Sequence, residues 1–243
     1  MWNGVQWVPN VAPAPGQPAG MPWARPYESG RFRARMATLF LAANIVGLIL
    51  LIPFDLVDVT QPASSQPAGD TQVILVGLLA LLALIVYFGS FIPAIVFMLM
   101  WVHRVVRNMP ALGSFDPRWS PSGAVVRCVI PIVNLVHPMR STLDAWRGAD
   151  PSQRWLNVTA RTAISPPPAI VAWWSLWLVG NWISLIGSRL TGQAGPTGVA
   201  GAGVVVLGTV LVIGAGVFAI QVIRGITARQ DQKNELIATG QLR

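Results

Sequence analysis

Charge is what this sequence has least of. Only 11% of its 243 residues are Asp, Glu, Lys or Arg, while 53% are apolar. A soluble domain carries about a quarter charged residues. A chain this poor in charge cannot cover its surface with polar groups, so lipid must be part of its solvent. Lysine is nearly missing: Lys233 stands alone beside sixteen Arg. Cys128 is the single cysteine, which excludes an intrachain disulfide and the paired-thiol and cysteine-rich zinc signatures. His103 and His137 are the two histidines, and with Cys128 they do not form the i, i+3 or i, i+4 spacing common among helical ligands. No metal, haem or other cofactor is therefore expected. An HExxH motif and a glycine-rich phosphate loop are also lacking. The apolar runs hold no Asp or Glu, which argues against proton coupling by buried acids and against an intramembrane aspartyl protease. Ser141 and Ser165 have no partnered base at a recognisable spacing. The chain is expected not to be an enzyme.

What is present is a set of long apolar runs with basic ends. The first covers residues 36–54, after Arg31, Arg33 and Arg35 and before Asp55 and Asp58. About nineteen residues rise roughly 28 Å, close to the ~30 Å hydrocarbon core. The second, 73–102, would reach about 45 Å as one straight helix, so it must tilt or break. Gly89, Ser90 and Pro93 mark the place for a break. It ends in Trp101, His103, Arg104 and Arg107. The third run, 166–186, opens on three prolines, and the fourth, 199–223, ends in Arg224, Arg229 and Lys233. Placing both termini in the cytoplasm leaves sixteen of the seventeen basic residues inside, with Arg189 outside. The net charge of +8 is thus a topology signal. Nucleic acid is not an expected partner, because the arginines gather at the ends of the apolar runs and form no single patch. Residues 1–30 read as a disordered, Pro/Gly-rich cytoplasmic tail carrying Trp2, Trp7 and Trp23, without the charged start and apolar core of a signal peptide. Residues 31–229 form the transmembrane domain and 230–243 a short cytoplasmic tail.

Between the second and third runs the pattern changes. Residues 124–136 are mostly apolar but are interrupted by Arg127, Pro131 and Asn134, and about 20 residues are needed to cross as a helix. Crossing here would also carry Arg140, Arg147, Arg154 and Arg161 outside. A re-entrant or interfacial segment is expected instead. Met139, Leu143 and Trp146 then share one helical face, with Arg140, Asp144 and Arg147 beside it. Asp144 can pair with either arginine at helical spacing. This reads as an amphipathic helix on the cytoplasmic membrane surface, within a re-entrant or amphipathic stretch 121–161.

The same stretch resembles the bacterial membrane family termed domain of unknown function 4328. The matching residues are Trp101, His103, Arg104, Arg107 and Asn108, then Ala111-Leu112-Gly113 and Ser120-Pro121. They continue through Pro131 to Leu135, Pro138-Met139, Asp144 to Arg147, and Trp173, Trp174 and Trp177. The resemblance spans about residues 36–225, with its specific part at 101–147. Family members carry aromatic residues ahead of the Pro131 position, where this chain has Arg127 and Cys128. The resemblance implies a membrane location and this architecture, and no chemistry.

Two sets of candidate residues follow. The first is a surface on the cytoplasmic side: Arg104, Arg107, Asn108, Pro131, Asn134, Pro138, Arg140, Asp144, Trp146 and Arg147. Its arginines, with Arg154 and Arg161, suit anionic lipid head groups, at ~1 kcal/mol each. The second is a polar stripe in the third span: Trp177, Asn181, Ser184 and Ser188 at i, i+4, i+7 and i+11. It would line a substrate path or, more plainly, make interhelical hydrogen bonds, with Asn44 and Gln221 as partners. Gly201, Gly208 and Ala215 recur every seven residues in the fourth span, a seam for close helix packing within the chain or in a homo-oligomer. The expected protein is all-α, with four transmembrane helices in the bacterial plasma membrane. Its expected role is a non-enzymatic scaffold, sensor or accessory subunit that contacts lipid and a cytoplasmic protein. A small transporter or channel is the alternative, and a lipid-modifying enzyme using Arg140, Arg147 and Asp144 the third.

Overall fold

The computed structural model describes residues 25–60, 70–114, 118–156, 158–193 and 196–242. Residues 1–24 of the expected 1–30 tail, and most of the loop after the first span, lie outside the described residues. Among the described residues eight helices follow one another: α1 (Arg31–Thr60), α2 (Asp70–Asn108), α3 (Pro121–Val129), α4 (Pro131–Asn134), α5 (His137–Gly148), α6 (Val158–Ala163), α7 (Pro168–Thr191) and α8 (Pro196–Ala238). There is no strand among the described residues, and one isolated bridge joins Ser114 to Leu156.

Four of these helices, α1, α2, α7 and α8, are long and apolar enough to cross a membrane. Lipid offers the backbone no hydrogen-bond partners, so a helix, which satisfies its own, is the form these runs must take. Their large side chains face outward: Leu39, Leu79, Ile92, Trp182 and Leu207 are each more than half exposed. On a soluble protein such a belt would be an aggregation surface.

α1 packs against α2 and α8, and α7 packs against α8, so α1 and α8 stand at the centre with α2 and α7 outside them. The small-residue seam of α8 is filled by α7 of the same chain. A Cβ added to Gly208 would lie 2.2 Å from Ser184 Oγ and 2.7 Å from Gly180 O, and one on Gly201 would lie 2.5 Å from Thr191 N. Ala215, one heptad further, sits buried against Trp173 and Trp174.

α2 runs unbroken through Gly89, Ser90 and Pro93. Side chains add bonds to the carbonyls of Val86 and Tyr87, a turn further back than the one the proline disrupts. Ser90 Oγ donates to Val86 O (2.6 Å), and Asn44 Nδ2 of α1 donates to Tyr87 O (3.1 Å). At ~1.5 Å per residue, α2 and α8 are roughly 58 and 65 Å long, about twice the hydrocarbon thickness. The surplus of α8 is its charged portion, 224–238, which holds Arg224, Arg229, Asp231, Lys233 and Glu235.

Candidate functional site: the charged end of the bundle

The start of α1, the end of α2, α5 and the end of α8 meet at one end of the bundle. The apolar part of this junction is a core of Trp101, Val105, Ala145, Ile170, Ile223 and Ile226, against which Met139, Leu143 and Trp146 pack. The apolar face of α5 is therefore covered by protein. An amphipathic stripe has the same periodicity whether lipid or a helix bundle covers it.

Around this core runs a polar network. Trp101 Nε1 donates to Thr227 Oγ1 (2.9 Å), and Gln230 Nε2 donates to Val105 O (2.9 Å). Asn108 Nδ2 donates to Gln230 Oε1 (3.2 Å) and to Glu28 O (2.9 Å), while Glu28 N donates to Asn108 Oδ1 (3.3 Å). Arg104, itself buried, forms an ion pair with Glu28, and Arg107 lies 4.0 Å from the same carboxylate. The Tyr27 hydroxyl donates to Asp231, which also holds Arg31 (2.6 Å). Burial and the Asp231 carboxylate push the Tyr27 phenol up. Residues 25–30 are thus strapped across the ends of α2 and α8.

Lys233 is 0% exposed, and its Nζ donates to Gly148 O (3.2 Å). Burial pushes this ammonium down to about 8, against the pull of Asp150. Asp150 takes its ion pair from Arg229 (3.0 Å), whose guanidinium also lies 4.4 Å over the Trp146 ring. A carbonyl from the last turn of a helix is a natural acceptor for a cation.

Asp144 pairs with neither neighbouring arginine of its helix. It lies 3.6 Å from Arg118, in the segment ahead of α3. Arg147 turns away and donates through Nε to Ile164 O (3.0 Å), and Arg140 is exposed. The side chain of Arg161 lies outside the described residues. Pro138 is buried in the first turn of α5, and Asn134 is half-buried.

Pro131 begins the short α4, and its surroundings are apolar and open. Val126, Val129, Ile130, Ile132, Leu135 and Val136 are all exposed, Ile132 to 81%. They form an aliphatic wedge at one corner of the charged end. Trp174 Nε1 of α7 donates to Leu135 O (2.9 Å) and ties the wedge to the bundle. Ahead of it Arg127 stacks on Trp119 at 3.7 Å, and burial pushes the Cys128 thiol up to about 11.

The structure corrects one expectation: Ser141, read as lacking a partnered base, has the His137 ring beside it at i−4 on α5. Ser141 Oγ lies 2.9 Å from His137 Nε2, one helical turn away. The same nitrogen lies 3.0 Å from Ala124 O. A carbonyl oxygen can only accept, so Nε2 carries the proton and donates to it. It cannot then serve as the base for Ser141. Burial pushes the His137 pKa down. The cavity beside Ser141 and Asp144 is about 10 Å³. Among the described residues no group of three His, Cys, Asp or Glu could hold a metal ion.

The intramembrane stripe divides. Trp177 and Asn181 line a cavity of about 210 Å³ between the four long helices, together with Asn44, Tyr87 and Gly216. Ser184 faces Gly208, and Ser188 Oγ donates to Leu185 O of its own helix (2.8 Å). Asn181 likewise donates to Trp177 O (2.7 Å). Asn44 bonds α2, not α7.

Residues that the sequence reading did not place in the site are Tyr27, Glu28, Thr227, Gln230, Lys233 and Asp150. The signal for three of them was present: Ile223, Thr227, Gln230 and Lys233 continue one face of α8 at steps of three and four.

These features define a helical multi-pass membrane protein whose four long helices carry a capped, charged end. The chain belongs to the family described as Domain of unknown function (DUF4328), whose model matches residues 61–228. None of the curated proteins and none of the solved structures compared is similar to it.

Proposed function

We propose that this is a bacterial plasma-membrane protein with both termini in the cytoplasm, acting without catalysis as a scaffold, sensor or accessory subunit. Its charged end faces the cytoplasm and presents an ordered platform to anionic lipid and to a protein partner. One observation carries this reading: the charged end holds an ordered cap, tied by the Arg104–Glu28 and Arg229–Asp150 ion pairs, with an aliphatic wedge at its edge. A wedge whose six aliphatic side chains stay exposed gains most by entering lipid, at ~25 cal/mol per Å² buried. The charge asymmetry supports the cytoplasmic orientation. The protonated His137 Nε2 and the small cavity beside Ser141 support the non-enzymatic role.

The test is depth. A fluorophore placed on Ile132→Cys, in a Cys128→Ser background, is expected to be quenched by lipid-borne quenchers and shielded from aqueous iodide. Stronger quenching by iodide would end the wedge reading. A transporter is the second reading, favoured by the 210 Å³ cavity holding Asn44 and Asn181. Solute flux into proteoliposomes that Asn181→Leu abolishes would put it first.

A further inference from the structure

A second surface at the charged end has the opposite character to the cap. Between α1 and α8 lies a groove of about 500 Å³ lined by Arg31, Arg35, Thr38, Arg224, Ala228 and Asp231 among others. Arg31 is spent on Asp231. Arg35 and Arg224 are exposed and have no ion pair among the described residues. The groove's acids, Asp231 and Glu235, lie seven and eleven residues beyond Arg224, roughly 10 and 16 Å along the axis. Those separations reach or exceed the ~8 Å screening length, so neither acid cancels Arg224, and Arg35 forms no ion pair with either acid among the described residues.

Towards the membrane the groove continues as an apolar strip. Leu39, Ala42 and Val46 follow Arg35 at i+4, i+7 and i+11 on α1, and Val217 and Val210 precede Arg224 by seven and fourteen on α8. All five are exposed. Two guanidiniums without an ion pair therefore stand at the head of an open, mostly aliphatic track, interrupted on α8 by the exposed Gln221, at the level where the apolar run ends.

We propose that this α1–α8 groove binds one anionic phospholipid, its phosphate held by Arg35 and Arg224 and an acyl chain laid along the strip below them. The planar guanidinium fork matches a phosphate's oxygens, and the long stems let both groups reach the interface. The apolar strip selects a lipid over free phosphate, because only a lipid covers it.

The full chain in detergent, titrated with dioleoylphosphatidylglycerol and read by native mass spectrometry, should show one tightly held adduct. Binding should weaken about fivefold for each arginine replaced, and roughly thirtyfold in Arg35→Gln/Arg224→Gln. Ala228→Trp fills the groove while keeping every charge, and should lose the adduct equally, so the test survives if the double variant does not fold. Retention of the adduct by either folded variant overturns the proposal. So does displacement by inorganic phosphate, or equal binding of dioleoylphosphatidylcholine. The site rests on the charged end lying at a membrane surface, as proposed above. If lipid quenching at position 132 holds while both variants keep the lipid, this site alone falls. If that quenching fails, the placement falls and the site with it.

Discussion

Two residues show how much of the cap depends on single positions. Gly113 ends the Ala111-Leu112-Gly113 sequence, and the structure supplies the reason for a glycine there. It has φ +76°, and a Cβ there would lie 1.9 Å from Arg154 O. Its own carbonyl accepts from Leu156 N (3.0 Å), closing the loop after α2 onto the segment after α5. Gly113→Ala should therefore destabilise the protein by about 1–3 kcal/mol, read as a lower melting temperature in detergent by tryptophan fluorescence. Lys233 gives the pH prediction. Its folded pKa, about 8, lies below the usual 10.5. Between those values the unfolded chain binds the extra proton, so stability rises with pH there. Wild type should gain stability relative to Lys233→Met from pH 7.5 to 9. The comparison between the two cancels Cys128, whose raised thiol acts in the opposite sense above pH 9. Parallel melting curves across that range would contradict the buried ammonium.

At the scale of the element, the α7–α8 contact is the most specific. Gly208→Ala places a methyl 2.2 Å from Ser184 Oγ and 2.6 Å from its backbone N, where backbone cannot yield. Gly203 has nothing within 4 Å of its Cβ position. The first substitution should cost about 1–3 kcal/mol and the second should be neutral or mildly stabilising, because alanine is the better helix former. Equal melting temperatures for the two would remove the glycine seam as the source of this packing. The seam, the four spans and the basic ends were legible in the sequence because each is a periodicity or a composition. What covers a face was not. Met139, Leu143 and Trp146 mark an apolar stripe, and nothing in their spacing tells lipid from the bundle core that covers them. Partner choice was equally hidden: Asp144 had Arg140 and Arg147 in helical register, yet the fold turns it to Arg118, far away in neither space nor charge but on another segment. The reach of α8 to Ala238 was obscured because its last turns bury polar groups, Gln230 and Lys233, where a core is usually apolar.

At the scale of the whole molecule, the proposed topology has the start of α1, the end of α2, the start of α7 and the end of α8 on one side of a bilayer. The loop between α7 and α8 lies on the other. An even number of crossings follows, and the cap, the wedge and the α1–α8 groove all depend on it. The most direct test is labelling by a membrane-impermeant maleimide of single cysteines placed at exposed positions in a Cys128→Ser background. Ser152→Cys, in the cap, and Gln241→Cys, beyond α8, should react only in inside-out vesicles, and Gln193→Cys, after α7, only in intact cells. Reaction of positions 152 and 193 from the same side would contradict the four-span bundle.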